Sequence, residues 1–169
     1  MAAYNLIATT TVGAAGASGI TFSNIPQTYT DLLLKVSLRS IASGTYDALG
    51  VFLNGVQTDR TRIALIGNGS TVSSNTSTYR DLGIVNGNTS TANTFSNIEL
   101  YFPNYTSANF KSISSDSVWE TNGAASDIAI FAGLWSSTSA ITTILLDNAS
   151  SGLSYMQHSS ASLYGIKNS

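Results

Sequence analysis

Hydrophobic and polar residues alternate with a period of two along much of the chain. The even positions of residues 31–39 are all aliphatic: Leu32, Leu34, Val36 and Leu38. Alternate residues of an extended strand share one face, so this pattern predicts a strand with one face in a core. Similar patterns or apolar runs predict further strands at residues 4–12, 20–23, 48–53, 62–66, 97–102, 110–119, 127–135, 140–146 and 161–166.

Turn residues separate these segments. Asn54-Gly55 follows an apolar run and is the dipeptide that two-residue hairpin turns favour, since both positions tolerate a positive φ. Pro26 cannot donate to a sheet ladder and is expected to end the second strand, placing it beside the strand of residues 31–39. About ten short strands without an amphipathic helix predict one all-β domain over residues 1–169, an antiparallel jelly-roll-like sandwich. An immunoglobulin-like or galectin-like sandwich would give much the same pattern.

Residues 67–94 interrupt the alternation. Small and polar residues dominate this segment, apart from a short apolar island at residues 82–85. Loops of this length inside a compact domain are uncommon and are often functional. We therefore expect a polar loop that either lies across a neighbouring subunit or is simply solvated.

The composition is unusually poor in charge. Charged residues make up 9% of the 169 residues, whereas Ser, Thr and Asn number 27, 20 and 14. Only seven residues are basic and the net charge is −2, so the chain lacks the clustered positive charge that nucleic-acid binding needs. Residues 1–19 have no basic start and no stretch reaches membrane-spanning length, so we expect neither a signal peptide nor a membrane segment.

Residues that carry chemistry are sparse. His158 is the sole histidine and cysteine is absent, which leaves neither a transition-metal ligand set nor a supported catalytic triad. The nine carboxylates are spread along the chain and form no calcium-loop motif. Gly13, Gly16 and Gly19 lie between two strands and are interpreted as a turn rather than a dinucleotide site. These patterns predict a protein without catalytic residues, cofactor or metal.

Aromatic side chains and one leucine are the candidate contact residues. Tyr79, Tyr101 and Tyr105 are predicted at the surface, where a ring offers a large contact area to a protein or a sugar. Leu33 falls on the polar face of its strand and is predicted to be exposed. Trp119 and Trp135 are instead expected in the core. The N-terminal strand and the 67–94 loop complete this set of predicted contacts.

Segments at both ends of the chain carry a resemblance. They are ITFSNIPQTYTDLLLKVSLRS at residues 20–40, ASLYGIKNS at residues 161–169 and the opening YNLIATTTV at residues 4–12. These segments resemble small β-rich virion proteins of tailed bacteriophages, including phages of cyanobacteria and marine hosts. The resemblance implies a β-rich structural protein that forms homotrimers, and it implies no catalytic residues.

The sequence patterns and the resemblance together suggest two functions. The first is a capsid decoration or cement protein, made in the host cytoplasm, that binds the major capsid protein on the virion surface. The second is a receptor-binding or glycan-binding domain of a tail fibre, which would use surface tyrosines to bind host polysaccharide. The second function requires saturable binding to host polysaccharide, which a decoration protein need not show.

Overall fold

The computed structural model describes residues 3–78, 81–123, 126–148 and 154–167. These residues form twelve strands and no helix. The strands are β1 (Ala3–Thr11), β2 (Gly19–Phe22), β3 (Asp31–Ser37), β4 (Tyr46–Leu53), β5 (Arg60–Gly67), β6 (Val72–Ser77), β7 (Asp81–Asn86), β8 (Asn97–Phe102), β9 (Lys111–Glu120), β10 (Ser126–Trp135), β11 (Ile144–Asn148) and β12 (Ser160–Lys167). The predicted all-β class is confirmed.

The strands form two antiparallel sheets that pack as a sandwich. The larger sheet has the order β1-β12-β3-β8-β9-β10-β5-β6, and the smaller sheet has the order β2-β11-β4-β7. Strands β2 to β8 and β11 follow the jelly-roll order, with the β9–β10 hairpin inserted between β8 and β5. Strands β12 and β1 extend the larger sheet beyond β3. The prediction of an antiparallel jelly-roll-like sandwich is therefore confirmed.

The core lies between the sheets and uses the predicted alternating residues. Leu32, Leu34 and Leu38 are fully buried, as are Ile98 and Leu100 on the neighbouring strand β8. Trp119 and Trp135 are also buried. One face of each of these strands thus packs into the core, as their period-two patterns predict.

The Asn54-Gly55 turn redirects the chain between the sheets. Both residues have positive φ, 53° and 73°, and the Val56 amide donates to the Leu53 carbonyl at 3.0 Å. The turn is as predicted, but β4 and β5 that flank it belong to different sheets. The Asn54 side chain also donates to the Ala140 carbonyl at 2.8 Å, which holds the segment before β11.

Two predictions about connections are wrong. Strands β2 and β3 are not ladder neighbours, because the chain crosses between the sheets around Pro26. Residues 67–94 are not a continuous loop, since they contain β6 and β7. Strand β6 is polar apart from the exposed Val72, and it forms because its backbone pairs with β5 at the edge of the larger sheet.

Strand β7 lies inside the sandwich. Its residues 82–86 are buried on both faces, which explains why residues 82–85 form a continuous apolar run instead of an alternating one. The Ser117 hydroxyl on β9 donates to the Ile84 carbonyl at 3.2 Å and accepts from the Ile84 amide at 2.9 Å. This side chain pairs part of the free edge of β7 and joins the two sheets.

Candidate functional site

The outward face of β5 and β10 is apolar. We define the β5–β10 face by eight outward residues of these two strands: Thr61, Ile63, Leu65, Gly67, Ile128, Ile130, Ala132 and Leu134. The register pairs Ile130 with Leu65 and Ala132 with Ile63, so the side chains form one continuous surface. Ile128, Ile130 and Ile63 are 61%, 57% and 56% exposed.

The surroundings of this face are mixed, because two valines extend its apolar area at one end while its other neighbours on β6 and β9 are serine, threonine and aspartate. Val118 on β9 lies beside Ile128, and Val72 on β6 lies beside Gly67. Both valines are exposed, Val72 to 73%. None of the eight face positions carries a charged side chain, and Asp116 opposite Ile130 is the nearest carboxylate in the β9 register. Contiguous exposed apolar surfaces are common at the interaction sites of proteins, so this face is a candidate site.

The polar side chains beneath the face hold its strands in place. Arg62 points inward from β5 and pairs with Asp81 of β7 at 2.7 Å. Its guanidinium also lies 5.6 Å from the centre of the Phe131 ring on β10. These contacts connect β5, β7 and β10, so the face is a rigid surface rather than a loop.

Leu33 and Tyr101, two of the predicted contact residues, are brought together at the other end of the larger sheet. They are cross-strand partners on β3 and β8, on the outer face. Leu33 is only 6% exposed, so its predicted exposure is wrong. Tyr164 stands opposite it on β12 and Tyr101 on β8, and the two rings flank it. A shallow cleft of about 390 Å³ lies beside Leu33 and Tyr164. Tyr4 and the exposed Lys35–Glu99 ion pair complete its lining.

The Tyr101 hydroxyl is committed to the fold. It donates to the Asp31 carboxylate at 2.8 Å. Burial raises the pKa of Tyr101 to about 12, and the hydrogen bond to Asp31 adds to the shift. The phenol therefore stays protonated at neutral pH, and its proton is already used within the fold.

Tyr105, another predicted contact residue, does not belong to this surface. Tyr105 is fully buried and donates its hydroxyl to the Pro26 carbonyl, so its predicted surface position is wrong. Burial also raises the pKa of Tyr105. The reason is the crossing between the sheets, which brings the Pro26 segment over the Tyr105 ring. Tyr79 lies outside the described residues.

Lys111 is a buried cation that serves the fold. It is 1% exposed, and its ammonium group donates to the carbonyls of Ser107 and Asn109 at 2.7 and 2.6 Å. Burial lowers the pKa of Lys111. Because its protons are directed at loop carbonyls, this lysine fixes the β8–β9 connection rather than facing a substrate.

The residues of the β5–β10 face were missed by the sequence-based selection of contacts, although a signal for them exists. Residues 126–135 are apolar on both strand faces, with Ile128, Ile130 and Leu134 on one and Phe131 and Trp135 on the other. Such a strand needs cover on both sides. The sequence alone does not say which face the sandwich itself leaves open.

The described residues contain neither a metal-ligating cluster nor a membrane-spanning helix. Within residues 3–78, 81–123, 126–148 and 154–167, no group of three or more potential metal-ligating side chains occurs. The described part of the chain also contains no helix with the length and apolarity to cross a membrane. No protein-family model and no curated protein sequence matches the chain.

Proposed function

We propose that the protein is a non-enzymatic structural component of a bacteriophage virion, namely a capsid decoration protein that docks through its β5–β10 face. The observation that carries this proposal is the uncharged, mostly aliphatic outer surface of two neighbouring strands of the larger sheet. A soluble protein rarely leaves such a surface uncovered. The resemblance of the terminal segments to phage virion proteins supports the choice of assembly.

The uncharged chemistry of the face favours a permanent interface over a transient one. Transient interfaces are about as polar as the rest of a protein surface, whereas permanent interfaces resemble a divided core. Burying one half-exposed Ile or Leu is worth about 1 kcal/mol. The five large aliphatic residues of the face would together contribute about 5 kcal/mol before the costs of association.

The mechanism in this proposal is mechanical. A decoration protein binds sites that exist only on the assembled shell, at junctions between major capsid proteins. Binding to the assembled state but not to free subunits stabilises the shell by mass action. The homotrimer that the resemblance implies would repeat the docking surface three times and add avidity.

The jelly-roll order is compatible with this role but does not decide it. Capsid and lectin domains both use this architecture, so the fold supports either a capsid or a glycan-binding protein. The β5–β10 face favours the capsid role, because a surface whose only polar side chain is Thr61 suits a protein partner better than a sugar.

The test mixes the purified full chain with matching undecorated phage heads and follows binding by sedimentation and cryo-electron microscopy. We expect saturable co-sedimentation and density at symmetric sites with β5 and β10 against the shell. Bare heads together with binding to host cells or their polysaccharide would reject the decoration role. The tail-fibre role would then replace it.

A further inference from the structure

A polar cleft lies beyond the end of β3. Two connections border it: residues 87–95 between β7 and β8, and residues 156–158 before β12. Its volume is about 450 Å³, within the range of small-molecule sites. Its lining residues are Arg39, Asn88, Ser90, Ala92, Asn93, Phe95, Met156, Gln157 and His158. We call it the Arg39 cleft.

Arg39 lines the cleft with a buried charge. The residue is 5% exposed, and its two terminal nitrogens donate to four carbonyls of the 87–95 connection. Among the described residues no carboxylate contacts it. Carbonyl oxygens satisfy the N–H groups but leave the positive charge without a counter-ion. Arg39 can therefore attract an anion in the cleft through its charge, but not by a hydrogen bond from its terminal nitrogens, which are already used.

The connection on one side of the cleft is rigidly held. The buried Asn86 side chain donates to the Thr94 hydroxyl at 3.1 Å and to the Glu120 carbonyl at 3.0 Å. The Ser90 hydroxyl donates to the Thr45 carbonyl. A Cβ added at Gly87 would lie 2.2 Å from the Gly44 carbonyl oxygen, so only glycine fits there. A connection fixed by this many buried polar groups is a preorganised surface.

The open side of the cleft carries groups that bind hydroxyls. Asn88, Asn93 and Gln157 are exposed, and each amide both donates and accepts hydrogen bonds. The exposed imidazole of His158 adds one more polar group. Phe95 is half-buried, so part of its ring can cover an apolar sugar face. Paired donors and acceptors suit vicinal hydroxyls, whereas a lone carboxylate needs only donors.

We propose that the Arg39 cleft binds a uronic acid unit of a polysaccharide, with the sugar hydroxyls on the amides and the carboxylate drawn by Arg39. The site does not depend on the decoration role, since β9 separates β8 beside the cleft from β10 of the docking face. It would give a virion-bound protein weak, repeated contacts with an acidic cell-surface polysaccharide. Repetition over many copies would strengthen such contacts.

The test is a nuclear magnetic resonance titration of the full chain with galacturonate, with neutral galactose and with an oligogalacturonide. We expect saturable amide shifts confined to residues 87–95 and 154–158 with galacturonate, and at least about fivefold weaker binding of galactose. Tighter binding of the oligogalacturonide would identify a polysaccharide rather than a free sugar as the source. Equal affinity for the two monosaccharides, absence of binding, or shifts elsewhere would overturn the proposal.

Paired variants make the test specific. The double variant Asn88→Ala/Gln157→Ala removes two exposed amides without touching Arg39, and we expect binding to weaken at least about fivefold. The matched control is Asn5→Ala/Gln57→Ala, which removes two exposed amides elsewhere and should bind as the unmodified chain does. Equal binding by both double variants would overturn the assignment of the cleft.

Discussion

Replacing two isoleucines of the β5–β10 face by threonine is expected to weaken docking without unfolding the protein. Ile128 and Ile130 are 61% and 57% exposed, so the fold uses only part of their apolar surface. Threonine keeps the branched Cβ that strands favour, and we expect the free energy of unfolding to change by less than about 1 kcal/mol. At a buried interface each replacement should cost about 1 to 1.5 kcal/mol, because a methyl contact is lost and a hydroxyl is desolvated.

The two replacements together predict a loss of about 2 to 3 kcal/mol, or about 30-fold to 150-fold in affinity for undecorated heads. Sedimentation over a range of protein concentrations measures the affinity, and urea unfolding measures the stability. The matched control is Ile41→Thr, which changes an isoleucine that is 45% exposed outside this face. Undiminished binding of the Ile128→Thr/Ile130→Thr variant, or an equal loss with Ile41→Thr, would refute the role of the face.

Three further predictions concern the fold. A Cβ at Gly165 would lie 2.3 Å from the Tyr29 ring, so Gly165→Ala should lower the free energy of unfolding by about 3 kcal/mol in urea unfolding. Gly67→Ala, whose Cβ would have no neighbour closer than 3.8 Å, should change it by less than about 0.5 kcal/mol. Arg39→Lys should cost about 2 kcal/mol, because an ammonium group cannot reproduce the donors that the planar guanidinium directs at four carbonyls. The pKa of Tyr101 rises from its ordinary 10.0 to about 12, so the folded state holds the phenol proton more tightly than the unfolded chain does. The protonated Tyr101 therefore contributes its full stabilisation below pH 10, and this stabilisation is lost as the pH approaches 12. Tyr101→Phe should therefore lose less stability than the unmodified chain across that window, as measured by urea unfolding at stepped pH.

Each of these predictions has a result that contradicts it. Equal stability of the Gly165→Ala and Gly67→Ala variants would mean that the Tyr29 ring is not packed against Gly165. An unchanged free energy of unfolding in Arg39→Lys would mean that the 87–95 connection does not depend on the guanidinium. Identical pH profiles for Tyr101→Phe and the unmodified chain would show that burial does not hold the Tyr101 proton.

The strands that alternate in sequence are the ones that sequence analysis located well. Residues 31–37 and 97–102 have one buried and one outer face, so their period-two pattern survives in the structure. Strand β7 was missed because it is covered on both sides and its apolar run is short. Strand β6 was missed because it is exposed on both sides, and only its backbone pairing with β5 makes it a strand.

The candidate sites were harder to predict because they depend on contacts distant in sequence. The surface position assigned to Tyr105 failed because the Pro26 segment, far away in the chain, covers the ring. Arg39 has the odd position that puts it on the polar face of the 31–39 segment with Leu33, yet carbonyls about fifty residues later enclose it. For the β5–β10 face the sequence shows two apolar strand faces, but the topology decides which one packs inward.

The central claim, that the β5–β10 face is covered in the virion, can be tested by cysteine labelling. The chain contains no cysteine, so a single introduced thiol reports on one position. Ala132→Cys places the thiol within the face, and Ala92→Cys places it on the exposed 87–95 connection as the control. In the free protein both thiols should react with a maleimide. In decorated heads we expect the thiol of Ala132→Cys to be protected and that of Ala92→Cys to remain reactive; rapid labelling at both positions would contradict the account.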